Sequence, residues 1–224
     1  MPDITPNMVK ELRERTGAGI MDCKTALTES GGDAEKAVDY IKKKGLAKAA
    51  KRAGAIAAEG VVHAYIHPGG RIGVLAEVNC QTDFVARSDE FKQFVDLVGM
   101  QVAAMNAQFT RREEVPAADT EKQKDIFRAQ VEEESKQSGK PRPAQVVDKI
   151  TDGKLEKWLA EVCLDEQVSV VDGEKTISAL AAELSAKIGE KISVRRFVRF
   201  ELGEGVEKKQ SDLAADVQAA IAGG

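Results

Sequence analysis

The sequence predicts an α+β fold that is rich in helix and carries a small antiparallel sheet, and three patterns predict it. Apolar residues recur at helical spacing through much of the chain, as in Phe91, Phe94, Val95, Val98 and Val102. The period changes to two at Val62, Ala64 and Ile66, at Ile72, Val74, Ala76 and Val78, and again within residues 192–202. Pro68-Gly69-Gly70 separates the first two alternating runs, so they fold back on each other as a hairpin.

The first helix starts where Thr5 can cap and Pro6 needs no amide partner, carries Met8, Val9 and Leu12, and stops at Thr16-Gly17-Ala18-Gly19. A second helix carries Met21, Ala26 and Leu27 and ends at Gly31-Gly32. Asp33 caps a third, with Ala34, Ala37, Val38 and Ile41 on one face. Three helices in about 40 residues are marginal for folding alone, which suits a recognition head better than a catalytic domain. Residues 42–52 hold Lys42, Lys43, Lys44, Lys48, Lys51 and Arg52 with no acid, interleaved with helix-favouring alanines. This segment is expected as a solvated linker helix. The rival is an RNA-contacting patch, which lacks the interleaved aromatics that stack on bases.

After the hairpin, Ser88 caps a long helix. Residues 108–118 read as a connection, and a charged helix follows from about Thr120, with Ile126, Phe127 and Val131 inward and Gly139 and Pro141 ending it. Val146, Val147 and Ile150 belong to another helical stretch, and Leu155, Trp158, Leu159 and Val162 lie beyond a break at Asp152-Gly153. A short strand is expected around Val168 and Val171, then a helix with Ile177, Leu180, Ala181, Leu184 and Ile188 closed by Gly189. Ile192, Val194, Val198, Phe200 and Leu202 alternate along a strand, with Arg195, Phe197 and Arg199 on its other face. Ser211 caps a last helix bearing Leu213, Val217 and Ile221.

At 224 residues, 42% apolar and 31% charged, the chain can bury one main core with smaller appendages. The expected division is a head at 1–41, a basic linker helix at 42–58, an α+β core at 59–205 and a C-terminal helical module at 206–224. A net charge of -4 argues against general nucleic-acid affinity. That charge is uneven, since residues 1–58 hold 11 Lys/Arg against 8 Asp/Glu and the remainder 22 against 29. Cys23, Cys80 and Cys163 are far apart, so neither a disulfide framework nor a metal site is expected, and a reduced cytoplasmic setting fits. No basic-then-apolar leader and no run of 18 apolar residues occurs, which points to a soluble protein without membrane contact.

No phosphate-cradling or hydrolase motif is present, so direct nucleotide binding and enzymatic chemistry are not expected, and no cofactor is implied. His63 and His67 are the only histidines. A Cys80–histidine nucleophile pair is the single catalytic alternative, set against a structural strand histidine. What stands out is Thr82-Asp83-Phe84-Val85, an acid beside two apolar residues in a strand-to-helix connection. Phe84 and Val85 either tuck under their own helix or serve as an exposed interface anchor. The head has a similar oddity, since Ile20 and Met21 are adjacent on a helix and cannot both face its interior.

Three runs carry a resemblance: Leu12-Arg13-Glu14-Arg15-Thr16-Gly17-Ala18-Gly19-Ile20-Met21-Asp22-Cys23-Lys24, Glu77-Val78-Asn79-Cys80-Gln81-Thr82-Asp83-Phe84-Val85-Ala86-Arg87, and Phe197-Val198-Arg199-Phe200-Glu201-Leu202-Gly203-Glu204-Gly205. Together they resemble bacterial elongation factor Ts. The resemblance implies a guanine-nucleotide exchange factor that docks on the GTPase elongation factor Tu. It also implies a ubiquitin-associated-like three-helix head, an α+β core and a C-terminal helical module that grips the GTPase. Carried over by position, Asp83 and Phe84 enter the GTPase near its magnesium and nucleotide, flanked by Thr82 and Val85, while Arg13, Ile20, Met21 and Lys24 contact the same domain. Longer members of the family have two similar core subdomains. Here one hairpin and long helix are visible and residues 112–164 read as mostly helical, so the chain resembles a short form in which a homodimer supplies the missing contacts.

Overall fold

The computed structural model describes residues 4–206 apart from 53, 138, 140 and 141. The final helix expected around Leu213, Val217 and Ile221 lies outside the described residues. Three helices open the chain: α1 (Pro6–Thr16), α2 (Ile20–Glu29) and α3 (Ala34–Arg52). The Thr5 hydroxyl accepts the Met8 amide at 3.3 Å, and Gly17 ends α1 in the left-handed region at φ 67. Leu12, Cys23, Ala26, Leu27 and Ala37 fill the interior of the three. α3 runs on through the basic segment without a break and lies against α8 (Ile177–Ile188). The approach is close because a Cβ at Gly45 would stand 2.9 Å from the Ala186 Cβ.

Strands β1 (Glu59–Ile66), β2 (Ile72–Cys80) and β3 (Ser193–Glu201) form one antiparallel sheet in that order. Helix α4 (Asp83–Ala86) is a single turn after β2, and α5 (Asp89–Met105) packs on one face of the sheet. Phe91, Phe94, Val95, Val98 and Val102 from α5 meet Val74, Ala76 and Val78 from β2 in the main core. The fold is therefore α+β with one small antiparallel sheet, as expected.

The sheet's faces differ from the expected alternation. On β1 it is Val61, His63 and Tyr65 that turn toward α5, while Val62 and Ile66 are exposed. Ile192, just before β3, and Val194 within it are buried, but Val78 pairs with Val194 while Glu77 pairs with Arg196, leaving one extra residue on β3. This bulge reverses the side-chain parity beyond it. Phe197 consequently packs on the core, and Val198 and Phe200 turn outward, Phe200 being 63% exposed. Val62, Ile66, Leu75, Val198 and Phe200 thus share an uncovered apolar face across all three strands.

Helices α6 (Ala117–Gln137) and α7 (Ala144–Val162) form an antiparallel arm. α7 continues through Asp152-Gly153, where a break was expected. Interior glycine costs about 1 kcal/mol, and cross-links between the helices offset it: Arg128 with Asp148, Lys124 with Asp152 at 2.7 Å, and Lys154 with Glu134 at 3.0 Å. In α6 Val131 and Ser135 are buried, Phe127 is half-buried, and Ile126 faces solvent. The strand expected around Val168 and Val171 is absent among the described residues, with only a single bridge between Val168 and Thr176. Its backbone groups go to Gln101 of α5, which accepts the Val170 amide at 2.8 Å and donates to the Val168 carbonyl at 3.1 Å.

Phe91 is fully buried at the centre of the α5–sheet contact. Phe91→Ala is expected to lower unfolding free energy by about 3–5 kcal/mol, read from the midpoint of a urea titration at unchanged slope.

Candidate functional site

The chain leaves β2 at Cys80 and enters α4 at Asp83. One helical turn is not stable by itself, so whatever fixes its ends decides where its side chains point. On the entry side the fixture is the Glu190 carboxylate, just past α8. Its Oε2 accepts the Gln81 amide at 3.1 Å and the Thr82 amide at 3.0 Å, and its Oε1 accepts the Thr82 hydroxyl at 2.7 Å. On the exit side the Ser88 hydroxyl donates to the Val85 carbonyl at 2.8 Å and accepts the Phe91 amide at 3.3 Å.

Between these fixtures the four residues part company. Val85 is half-buried against the main core. Thr82 is exposed at its surface and bound by its hydroxyl. Asp83 faces solvent and pairs with Arg87 at 2.9 Å. Phe84 has no place in the core and is 83% exposed. A large aromatic on a braced turn is an unusual thing for a fold to leave in water.

In the head, Ile20 and Met21 open α2 at 56% and 73% exposure, and Cys23, with Ala26 and Leu27, takes the interior that Met21 was expected to share. Ile4, Val9 and Ile20 line a groove of about 370 Å³ whose rim carries Lys10, Arg13 and Lys24. Arg13 and Lys24 are exposed. An apolar floor with a cationic rim suits an amphipathic, acidic protein surface.

The basic segment is partly committed inside the head. Lys48 and Lys44 reach the Asp22 carboxylate at 3.2 and 3.3 Å, and the Lys44 ammonium lies 5.7 Å from the centre of the Tyr40 ring. The Lys48 hydrogen bond, with Lys44 beside it, holds the Asp22 carboxyl below the usual carboxylate range.

The Cys80 thiol is buried and donates to the Thr82 carbonyl at 3.1 Å. Burial, and then the Glu190 charge, push that thiol up and away from the reactive thiolate. Glu59 stands opposite it on β1, while His63 stands opposite Ala76 and pairs with Asp96 at 3.0 Å. The histidine and the thiol are thus not brought together. Among the described residues no cluster of His, Cys, Asp or Glu is arranged to hold a metal, and no helix is long and apolar enough to cross a membrane.

Sequence reasoning overlooked Glu190. It bonds a loop 108 residues away in the chain, and nothing in its own neighbourhood beyond the helix-ending Gly189 marks it.

A family model described as Elongation factor TS matches residues 7–204. The chain is 56% identical over 221 residues to elongation factor Ts of Desulforamulus reducens, covering 99% of both chains. It is 57% identical over 218 residues to that of Carboxydothermus hydrogenoformans, covering 97% of this chain and 98% of the relative. Against that of Geobacter sulfurreducens it is 55% identical over 217 residues, again 97% and 98%. The length of the chain is therefore shared with these relatives.

The Asp22 pairing has a pH signature. A carboxyl whose folded pKa is depressed contributes stability above its unfolded value, about 3.9, and loses it as pH falls through the lower folded value. These ammonium groups are well exposed, so the contribution is under about 1 kcal/mol. Asp22→Asn is expected to be slightly less stable than the parent at pH 7 and to converge with it as pH falls below the usual carboxylate range, as urea midpoints across that fall will show.

Proposed function

Since the chain belongs to the elongation factor Ts family, we propose that it is the guanine-nucleotide exchange factor of elongation factor Tu in translation elongation, and that Asp83 and Phe84 enter the GTPase beside its magnesium and nucleotide. The observation that carries this reading is Phe84, an exposed aromatic on a turn braced from both sides. The factor has no covalent step to perform. It binds the nucleotide-free GTPase more tightly than the nucleotide-bound one, and by reciprocity the docked GTPase holds its nucleotide more weakly. Phe84 displaces partner backbone, and Asp83 hydrogen-bonds the displaced segment and weakens the magnesium site.

Magnitudes require more than the wedge. A nucleotide held at nanomolar affinity is bound by about 12 kcal/mol, and burying one Phe yields about 1.5–3 kcal/mol. Arg13, Ile20, Met21 and Lys24 therefore supply a second anchor from a head of the ubiquitin-associated type, and residues 206–224 supply a third. In this division the head is 1–41, the basic linker 42–58 and the core 59–205, with α3 spanning the first boundary. The work is done in the cytoplasm, without membrane or nucleotide bound by the factor itself. An RNA-binding role for residues 42–52 is supported less, because Lys44 and Lys48 are engaged by Asp22.

The uncovered sheet face supports a homodimer. Val62, Ile66, Leu75, Val198 and Phe200 expose apolar area on one face, bordered by the Glu77–Arg196 pair, of the kind that a second sheet covers. Val198→Lys is expected to halve the mass found by sedimentation. A parent chain that sediments as a monomer at micromolar concentration would remove the dimer from the proposal.

Release of fluorescent GDP from elongation factor Tu tests the function. The parent chain should accelerate release, and Phe84→Ala should cut the acceleration by at least about tenfold, the equivalent of 1.4 kcal/mol, with urea stability changed by no more than about 0.5 kcal/mol, as for a surface site. No acceleration by the parent sinks the function, and full acceleration by the variant sinks the wedge.

A further inference from the structure

We infer that Glu190 is a positioning residue for exchange: it holds the Gln81-Thr82 entry to α4 so that Phe84 is presented outward in one fixed direction. This rests on the wedge proposed above and adds the residue that aims it.

Three donors converge on this one carboxylate, namely two consecutive backbone amides on Oε2 and the Thr82 hydroxyl on Oε1. Consecutive amides just past the end of a strand have no ladder partner and would otherwise turn to water. An ionised acceptor gathers both and makes stronger bonds than a neutral group would. The neighbouring residue closes the bracket, since the Lys191 amide donates back to the Gln81 side chain at 3.2 Å and the Lys191 ammonium to the Ala55 carbonyl at 3.0 Å.

Among the described residues the loop is otherwise held by the Cys80 thiol on the Thr82 carbonyl, a weak donor, and by the packing of Val85 and Ala86 on the main core at the far end of the turn. The turn's own bonds, Ala86 amide to Thr82 carbonyl at 3.3 Å and Arg87 amide to Asp83 carbonyl at 3.2 Å, fix its internal shape but not its direction. The Asp83–Arg87 pair is exposed and internal to the same turn. Since Phe84 packs on no core, its direction follows from the backbone of Thr82 and Asp83. Glu190 sets that backbone from the end of α8, the helix against which α3 of the head also lies. One carboxylate therefore registers the wedge relative to the head.

The test uses the full chain and the fluorescent-GDP release assay, with Glu190→Ala, Glu190→Gln, Thr82→Val, Phe84→Ala and the double variant Glu190→Ala/Phe84→Ala. Amide hydrogen exchange at Gln81 and Thr82 is followed in parallel. Glu190→Ala should speed exchange of both amides and lower the maximal release rate about tenfold, with the half-saturating concentration changed less than about threefold, the pattern of a lost transition-state interaction and a retained docking surface. Glu190→Gln keeps an acceptor oxygen and should recover most of the rate. The double variant should be no slower than Phe84→Ala, because residues acting through one unit are not additive. If Glu190→Ala is too unstable to assay, Thr82→Val removes only the bond on Oε1 and should show the same split with a smaller loss. A parent-like rate or unchanged amide protection in Glu190→Ala, while Phe84→Ala is impaired, overturns the positioning role and leaves the wedge standing. Additive losses in the double variant also overturn it. A parent-like rate in Phe84→Ala overturns both.

Discussion

A helix must find donors for its last carbonyls, and at α8 Gly189 does so by entering the left-handed region at φ 89, its amide reaching the Ser185 carbonyl at 2.9 Å. That turn delivers Glu190 and Lys191 to the end of β2, where one takes the amides of Gln81 and Thr82 and the other gives its amide to Gln81. One turn earlier, Ala186 lies under Gly45 of α3, and Lys187 lies over Gly17 and pairs with Glu90 of α5 at 2.8 Å. Head, sheet, long helix and loop are thus all referenced to the last turn of a single helix. Moving any one against another breaks several of these contacts together, and such coupling is what makes an assembly of small contacts behave as a rigid piece.

What the sequence made legible was local. Thr5 and Ser88 act within three residues of themselves, and the stops at Gly17 and Gly189 within four, so these caps and helix ends could be placed from neighbours alone. Non-local balances were not legible. The bulge opposite Glu77 depends on β2 and β3, which lie more than 100 residues apart in the chain, and it turned Val198 and Phe200 to the outside although they keep step with Ile192 and Val194, with only Arg196 out of pattern between them. Gly153 looked like a break because the cross-links that carry α7 through it come from α6. Val168 and Val171 have strand composition, yet a buried glutamine on α5 takes the Val168 carbonyl and the Val170 amide, and the Ser169 hydroxyl takes the Val171 amide. In the candidate site, the peculiarity of Phe84 and of the Ile20-Met21 pair showed in the sequence because each breaks a local rule. Glu190 breaks none and was invisible.

The exposed apolar groups fall into two kinds. On the sheet they are spread flatly over three strands, so any covering partner gains from area and shape rather than from one side chain. At α4 a single aromatic projects from a rigid turn with an acid beside it, which suits insertion into a crevice and a specific polar exchange there. The head is intermediate, with an apolar groove under a rim of Lys10, Arg13 and Lys24. A cationic rim acts mainly on encounter and orientation, and the apolar floor on residence. Under the proposed function the three surfaces are therefore not interchangeable: one would assemble, one would steer and hold, and one would perturb.

A perturbing element must keep the energy it gains on insertion. Ordering a flexible backbone costs about 1–2 kcal/mol per residue, so the four residues from Thr82 to Val85, if loose in the free factor, would lose about 4–8 kcal/mol on docking. Burial of Phe84 returns only about 1.5–3 kcal/mol. A loose wedge would thus weaken the complex it enters, and none of its energy would reach the nucleotide site. With the turn already ordered by Glu190 on one side and Ser88 on the other, that cost has been met during folding, out of the stability of the core. The sign of the wedge's contribution is then set less by Phe84 than by the groups that hold it still. This is why a hydrophilic residue far along the chain, and not a larger aromatic, is the natural complement to an exposed phenylalanine on a one-turn helix.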